Sequence, residues 1–156
     1  MQLPEIYEFH GNWQSYVDEL YNIYLETIVN NKSLRFDNLP IKTRFKPITD
    51  GKGFGFWHII SDGNEEEERL PDMRRCESLP WVSYCIKEAK IPPAPISWWK
   101  NKRGSNTHIV ILNETKGFVV VLAERKDYYL LKTAYFPRTY RLKSMIKERN
   151  KYWNLN

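Results

Sequence analysis

Residues 107–135, THIVILNETKGFVVVLAERKDYYLLKTAY, restrict the possible folds more than any other part of this chain. Residues 108–112, 118–123 and 128–135 are rich in β-branched and aromatic side chains and read as three consecutive strands. Short polar segments, Glu114-Thr115-Lys116-Gly117 and Glu124-Arg125-Lys126-Asp127, separate them. Parallel crossovers need a dozen or more residues, so an antiparallel meander is expected. In a regular last strand Leu131, Thr133 and Tyr135 share one face, and Leu130, Lys132 and Ala134 share the other. The hydroxyl of Thr133 and the phenol of Tyr135, side by side, would form the floor of a polar site.

The rest of the chain supplies the cover for this sheet. Asn12 is placed to cap a helix in which Trp13, Tyr16, Val17, Leu20, Tyr21, Tyr24, Leu25 and Ile28 recur at three- and four-residue steps. That spacing is most simply a core stripe. Residues 34–36 and 41–45 read as short strands, and Thr49-Asp50-Gly51-Lys52-Gly53 is a turn signal. Residues 54–61, FGFWHIIS, are apolar on both faces of a two-residue period and read as a central strand carrying His58. Ser78 is a candidate cap for a helix with Pro80 in its first turn, stopped by the prolines of residues 91–95. Residues 98–104 read as an exposed connector, and Pro137 starts a last helix with Leu142, Met145, Ile146 and Trp153 inward. The sum is an α+β fold over residues 1–156 as one domain: an antiparallel meander plus a central strand, with helices packed on one face.

Charge and composition narrow the function. The apolar fraction of 42% and the aromatic fraction of 15% exclude a disordered chain. No apolar run approaches a membrane span and the N-terminus lacks a leader pattern, so a cytoplasmic protein with no membrane partner is expected. The two cysteines, Cys76 and Cys85, fit reduced core thiols rather than a zinc site. Net charge is +5, and the last helix concentrates Arg138, Arg141, Lys143, Lys147, Arg149 and Lys151 against Glu148 alone. Such a stripe is commonly a solvated helix face, but beside a sheet site it also suits a polyanion, nucleic acid first.

The sequence contains no P-loop, HExxH, GxSxG or CxxC pattern. No metal site and no cofactor are expected. What fits is general acid–base chemistry on a phosphodiester, which needs a proton carrier and cations or hydroxyls around the developing phosphorane. Imidazole titrates in the right range, which selects His58. Arg69, Arg74 and Arg75 are candidates to grip phosphate, and Thr133 and Tyr135 to hold non-bridging oxygens or the sugar. Each has a plainer reading: a core imidazole, arginines paired with the acidic run at residues 65–68, and a threonine chosen for β-propensity.

These residues together resemble a known family. Pro47-Ile48-Thr49-Asp50-Gly51, Phe56-Trp57-His58-Ile59, Arg69 with Arg74-Arg75, Pro80-Trp81, and Leu130-Leu131-Lys132-Thr133-Ala134-Tyr135 look like the barnase–EndoU–colicin–RelE-like ribonuclease superfamily, in its phage and mobile-element toxin branch. The resemblance implies a metal-independent endoribonuclease, a toxin-type effector that cleaves tRNA or other structured RNA and is held in check by a neutralising protein partner. It implies catalytic roles for His58, Thr133 and Tyr135; as phosphate-gripping groups Arg69 and Arg75 join the expected catalytic set, and Arg74 and Lys132 the expected substrate contacts. The basic helix adds Arg138, Arg141 and Lys147 as substrate contacts. In a regular strand Lys132 points away from Thr133, and a bulge would be needed to reconcile them. The alternatives are a non-catalytic nucleic-acid-binding module of the same fold and a protein-interaction domain.

Overall fold

The computed structural model describes residues 2–63 and 65–155. In chain order the elements are α1 (Trp13–Tyr24, continued by a π turn at Leu25–Val29), β1 (Arg35–Phe36), β2 (Leu39–Lys42), α2 (Phe54–Ile60), β3 (Ser61–Asp62), β4 (Leu70–Pro71), α3 (Met73–Glu77), α4 (Trp81–Glu88), β5 (Ile96–Arg103), β6 (Asn106–Asn113), β7 (Phe118–Glu124), β8 (Tyr129–Tyr135) and α5 (Thr139–Tyr152). The fold is α+β, as the order of apolar periods implied. The main sheet runs β1-β2-β8-β7-β6-β5, antiparallel throughout except where β2 lies parallel to β8. It curls until its two ends meet: the Phe36 ring of β1 sits edge-on to Trp98 of β5, with centroids 5.5 Å apart.

The meander is β6-β7-β8. Its strands are apolar on both sides, so both sides need cover. Ile109, Ile111, Val120 and Leu122 join Tyr16, Leu20, Tyr24, Phe56, Ile59, Val82 and Ile86 in one core, under α1, α2 and α4. Trp99, Val110, Leu112 and Val119 form a second core with Met145, roofed by α5. Helices therefore lie on both faces of the sheet rather than one. A single covered face would leave Val110, Leu112 and Val119 in water, at about 1.5–3 kcal/mol for each large side chain.

The central strand expected at residues 54–61 is a helix. Phe56, Ile59 and Ile60 are its buried residues, at the i, i+3, i+4 spacing of a helical face. The first-turn N–H groups, orphaned in any helix, are taken up locally: Phe54 N–H donates to Phe45 O (3.0 Å) and Gly55 N–H to Arg44 O (2.8 Å). α2 packs against β8. β2 pairs with β8 only at Tyr129 and Leu130, so α2 covers β8 where strand pairing stops.

Residues 98–104, expected as a connector, belong largely to β5. This edge strand pairs with β6 from Ile96↔Asn113 to Arg103↔Asn106, and its Trp99 is fully buried. Basic residues at its outer end disguise its alternation. Asn12 caps α1 through Oδ1 to Ser15 N–H (3.0 Å), as expected. Ser78 does not cap α4 with its side chain. Its Oγ donates back to Arg74 O (2.8 Å), and its own carbonyl accepts from Trp81 N–H (2.8 Å). Among the described residues no helix is long and apolar enough to cross a membrane. Cys76 and Cys85 are free, buried thiols, both pushed up to about 12 by burial.

Candidate functional site at the second helix

The turn at Thr49–Lys52 sets the site's outer wall. Asp50 (φ 51°) and Gly51 (φ 73°) both take the left-handed conformation of a tight hairpin turn, and Thr49 and Lys52 exchange two backbone hydrogen bonds of 2.9 Å. Trp57 of α2 reaches over and donates Nε1–H to Thr49 O at 2.9 Å, which fixes its ring. Phe54, one turn earlier, carries Arg44 on its face, 4.4 Å from guanidinium to centroid. Its other contact is His58, stacked at 5.4 Å with 25° between planes. Arg44, Thr49, Phe54, Trp57, Arg69 and the acidic Glu67 are among the residues that line an open groove of about 780 Å³. A smaller cavity of about 60 Å³ adjoins it through Arg44 and Phe54, and is closed by His58, Leu130, Leu131 and Lys132.

Lys132 reaches this cavity's rim through an irregularity in β8. Val121 pairs with Thr133 and Leu122 with Leu131, so Lys132 is the extra residue of a β-bulge. The bulge also overturns the regular two-residue assignment. Leu131 now shares the first core with Ala134, while Tyr135 packs on the second core beneath α5. Thr133, opposite Val121, goes with Tyr135 to that second face. His58 lies on a helix over the first face, so it does not share a sheet face with Thr133 as expected of a central strand.

The arginine cluster is built into the backbone. Arg69 donates Nη1–H to Gly63 O (2.9 Å) and Nη2–H to His58 O (2.8 Å) and Ser61 O (2.5 Å). Arg75 donates to the same Ser61 carbonyl and lies 3.3 Å from Asp62 Oδ1. Two guanidiniums thus staple the C-terminal end of α2, where carbonyls point out of the helix and cations are favoured. Burial pushes Arg75 below its ordinary value, with the Asp62 carboxylate opposing and Arg69 reinforcing. Arg75 also lies 5.7 Å from the Tyr135 ring centroid. Arg74 is exposed and flat on Phe136, 3.7 Å from its centroid.

The cavity thus gathers His58, Lys132 and Arg44, with Arg69 on the His58 carbonyl; Arg75 and Tyr135 adjoin each other, and Thr133 lies on the far face. Arg141 and Lys147 are on α5, and Arg138 is the residue that precedes its first turn, across the sheet from α2. Arg149, one of the same basic run, is buried, with Nη1 on Glu114 Oε1 (2.7 Å) and Ser97 Oγ (3.2 Å). Arg44 and Phe54 are not among the site residues expected from sequence, and Trp57 enters there only within Phe56-Trp57-His58-Ile59, because the approach of Arg44 to Phe54 depends on how the chain folds back between them. Among the described residues no group of three or more His, Cys, Asp or Glu side chains is arranged to hold a metal ion. No family model matches the chain, and no curated protein or solved structure matches it significantly.

Proposed function

We propose that this protein is a metal-independent endoribonuclease that binds RNA in the groove beside α2 and cleaves it at His58. The observation that carries the reading is the meeting of an imidazole, an ammonium side chain and a guanidinium at one small cavity that opens on an aromatic groove. At ~30 Å³ per water, a cavity of about 60 Å³ holds two waters' worth of atoms, enough for phosphoryl oxygens but not for a nucleotide. The nucleotide belongs in the larger groove, where Trp57 offers a ring and Arg44 a cation held in place by Phe54.

In this reading the 2′-oxygen bonds to phosphorus as His58 accepts its proton. The P–O5′ bond breaks, the 5′-oxygen is protonated from water, and a 2′,3′-cyclic phosphate remains. Lys132 and Arg44 offset the charge that builds on the phosphorane oxygens. Arg69 holds the end of α2, and with it the His58 backbone, in register. The family resemblance supports the finer terms: a toxin-type effector, tRNA or another structured RNA as target, a neutralising protein partner, and action in the cytoplasm.

The test is incubation of purified protein with a tRNA transcript in EDTA, followed by mapping of the ends. Cleavage leaving 2′,3′-cyclic phosphate is expected, with His58→Ala slower by roughly 10²–10⁴-fold and still able to bind RNA. Full activity in a folded His58→Ala protein, or abolition by EDTA, would refute the mechanism. Binding without any cleavage would leave a nucleic-acid-binding module.

A further inference from the structure

α5 roofs only half of the second sheet face. Its cover ends where Glu148 Oε2 accepts from Trp99 Nε1–H (2.7 Å) and Asn101 Nδ2–H (3.2 Å). The next row of the ladder is Asn101, His108, Ala123 and Leu130, aligned by register and facing away from the main core. Around it stand Arg103, two residues beyond Asn101, Arg125, just past β7, and Lys132 at the bulge. The imidazole of His108 is held below its ordinary value, first by burial and then by Lys132, Arg103 and Arg125, all of which act on it as like charges.

Among the described residues no ion pair involves Arg103, Arg125 or Lys132. Glu124, beside Arg125 in sequence, pairs instead with Lys100 at 3.0 Å and offers Arg125 only its backbone carbonyl. Three like charges around a half-buried imidazole disfavour the free protein and favour a polyanion laid across them. Arg125 and Lys126 line an open pocket of about 490 Å³ with Ser105, Asn106 and Thr107, which add hydroxyl and amide groups, and with Glu124, whose carboxylate is held by Lys100. Lys132 lines the His58 cavity and its charge also acts on His108, so one side chain links the two sites electrostatically.

We infer that the uncovered half of this sheet face, centred on His108, is a track for the phosphate backbone of the RNA strand flanking the cleavage point. The inference rests on the RNA-cleaving reading and adds where the substrate runs. On this track Arg103 and Arg125 each neutralise one phosphate.

The test uses the full chain and a fully 2′-O-methylated single-stranded RNA, which binds but lacks the attacking hydroxyl. Its affinity is measured by fluorescence anisotropy from 50 to 200 mM salt for the wild type, for Arg103→Gln with Arg125→Gln, and for Lys87→Gln on α4 as a net-charge control. Removing two phosphate contacts should lower the slope of log K against log salt by about 1.4, so that the wild type's advantage shrinks roughly sevenfold across the series. Lys87→Gln should keep most of the wild-type slope. In the wild type the His108 ring resonances should shift on adding the oligonucleotide, while those of His10 stay in place. A wild type that binds with a slope the double variant shares would overturn the track while sparing the α2 groove. No salt-dependent binding by the wild type would overturn both.

Discussion

Gly55→Ala tests the packing that holds the site together. By helix propensity alone, alanine inside α2 should stabilise the protein by ~1 kcal/mol over glycine. The structure reverses that sign. A methyl on residue 55 would stand 2.7 Å from Tyr24 Oη, 3.0 Å from the Arg44 carbonyl and 3.5 Å from Thr43 Cβ. Tyr24 has little room to yield: it is 2% exposed, and its ring meets Phe56 at 5.5 Å and Tyr21 at 6.0 Å. The Arg44 carbonyl is backbone and already accepts from Gly55 N–H at 2.8 Å. Overpacking typically costs ~1–3 kcal/mol, and contact with a backbone oxygen that cannot swing away puts this site at the upper end. Against the propensity gain, a net loss of about 2 kcal/mol is expected, which for a chain of this size lowers Tm by roughly 4–8 °C. Because the same shift moves Arg44 and Phe54, RNA affinity should fall with it. Calorimetry and urea titration on the purified variant give the answer. A Gly55→Ala protein as stable as the wild type would show that α2 does not approach Tyr24 and Arg44 this closely, and the cavity geometry would fall with it.

Arg69→Gln should cost about 3 kcal/mol in urea titrations, since it leaves the carbonyls of His58, Ser61 and Gly63 without their cation, whereas exposed Arg74→Gln should cost ~1 kcal/mol or less. A stable Arg69→Gln protein that has lost only cleavage would move Arg69 from clamp to substrate contact. Stability should also fall in alkali. The Cys76 and Cys85 thiols and the Tyr24 phenol are each pushed up to about 12 by burial, from 9.0 and 10.0. The unfolded chain therefore releases these protons first, so the stabilisation is whole below pH ~9 and drains away as the pH climbs towards 12. Urea midpoints that stay level from pH 8 to 10.5 would contradict this burial.

The sequence by itself determined the parts whose signal is local. Runs of β-branched and aromatic residues broken by short polar turns mark β6, β7 and β8 without help from the rest of the chain. A long three-and-four-residue apolar stripe behind Asn12 does the same for α1, and Pro137 with Leu142, Met145 and Ile146 for α5. Cys76 and Cys85 as core thiols followed from their number and the absence of partners. His58 and Lys132, both singled out in sequence, border one cavity.

What only the tertiary structure decided is how those parts meet. Phe54–Ile60 is too short and too apolar for its period to tell a strand from a helix; the choice falls to Tyr24 and the carbonyls of Arg44 and Phe45, which lie far away or bind through backbone atoms that no side-chain pattern reports. β5 reads as a connector because an edge strand with one buried tryptophan and a basic outer end has little alternation to show. The bulge at Lys132 depends on pairing across β7, and it turns Leu131 and Thr133 to opposite faces where a regular count puts them on one. Arg69 and Arg75 look like phosphate ligands in a sequence, since a guanidinium suits phosphate and carbonyl alike. Only the folded chain brings the end of α2 to them, because hydrogen-bond partners across a turn and two short strands are fixed by packing and not by the order of residues.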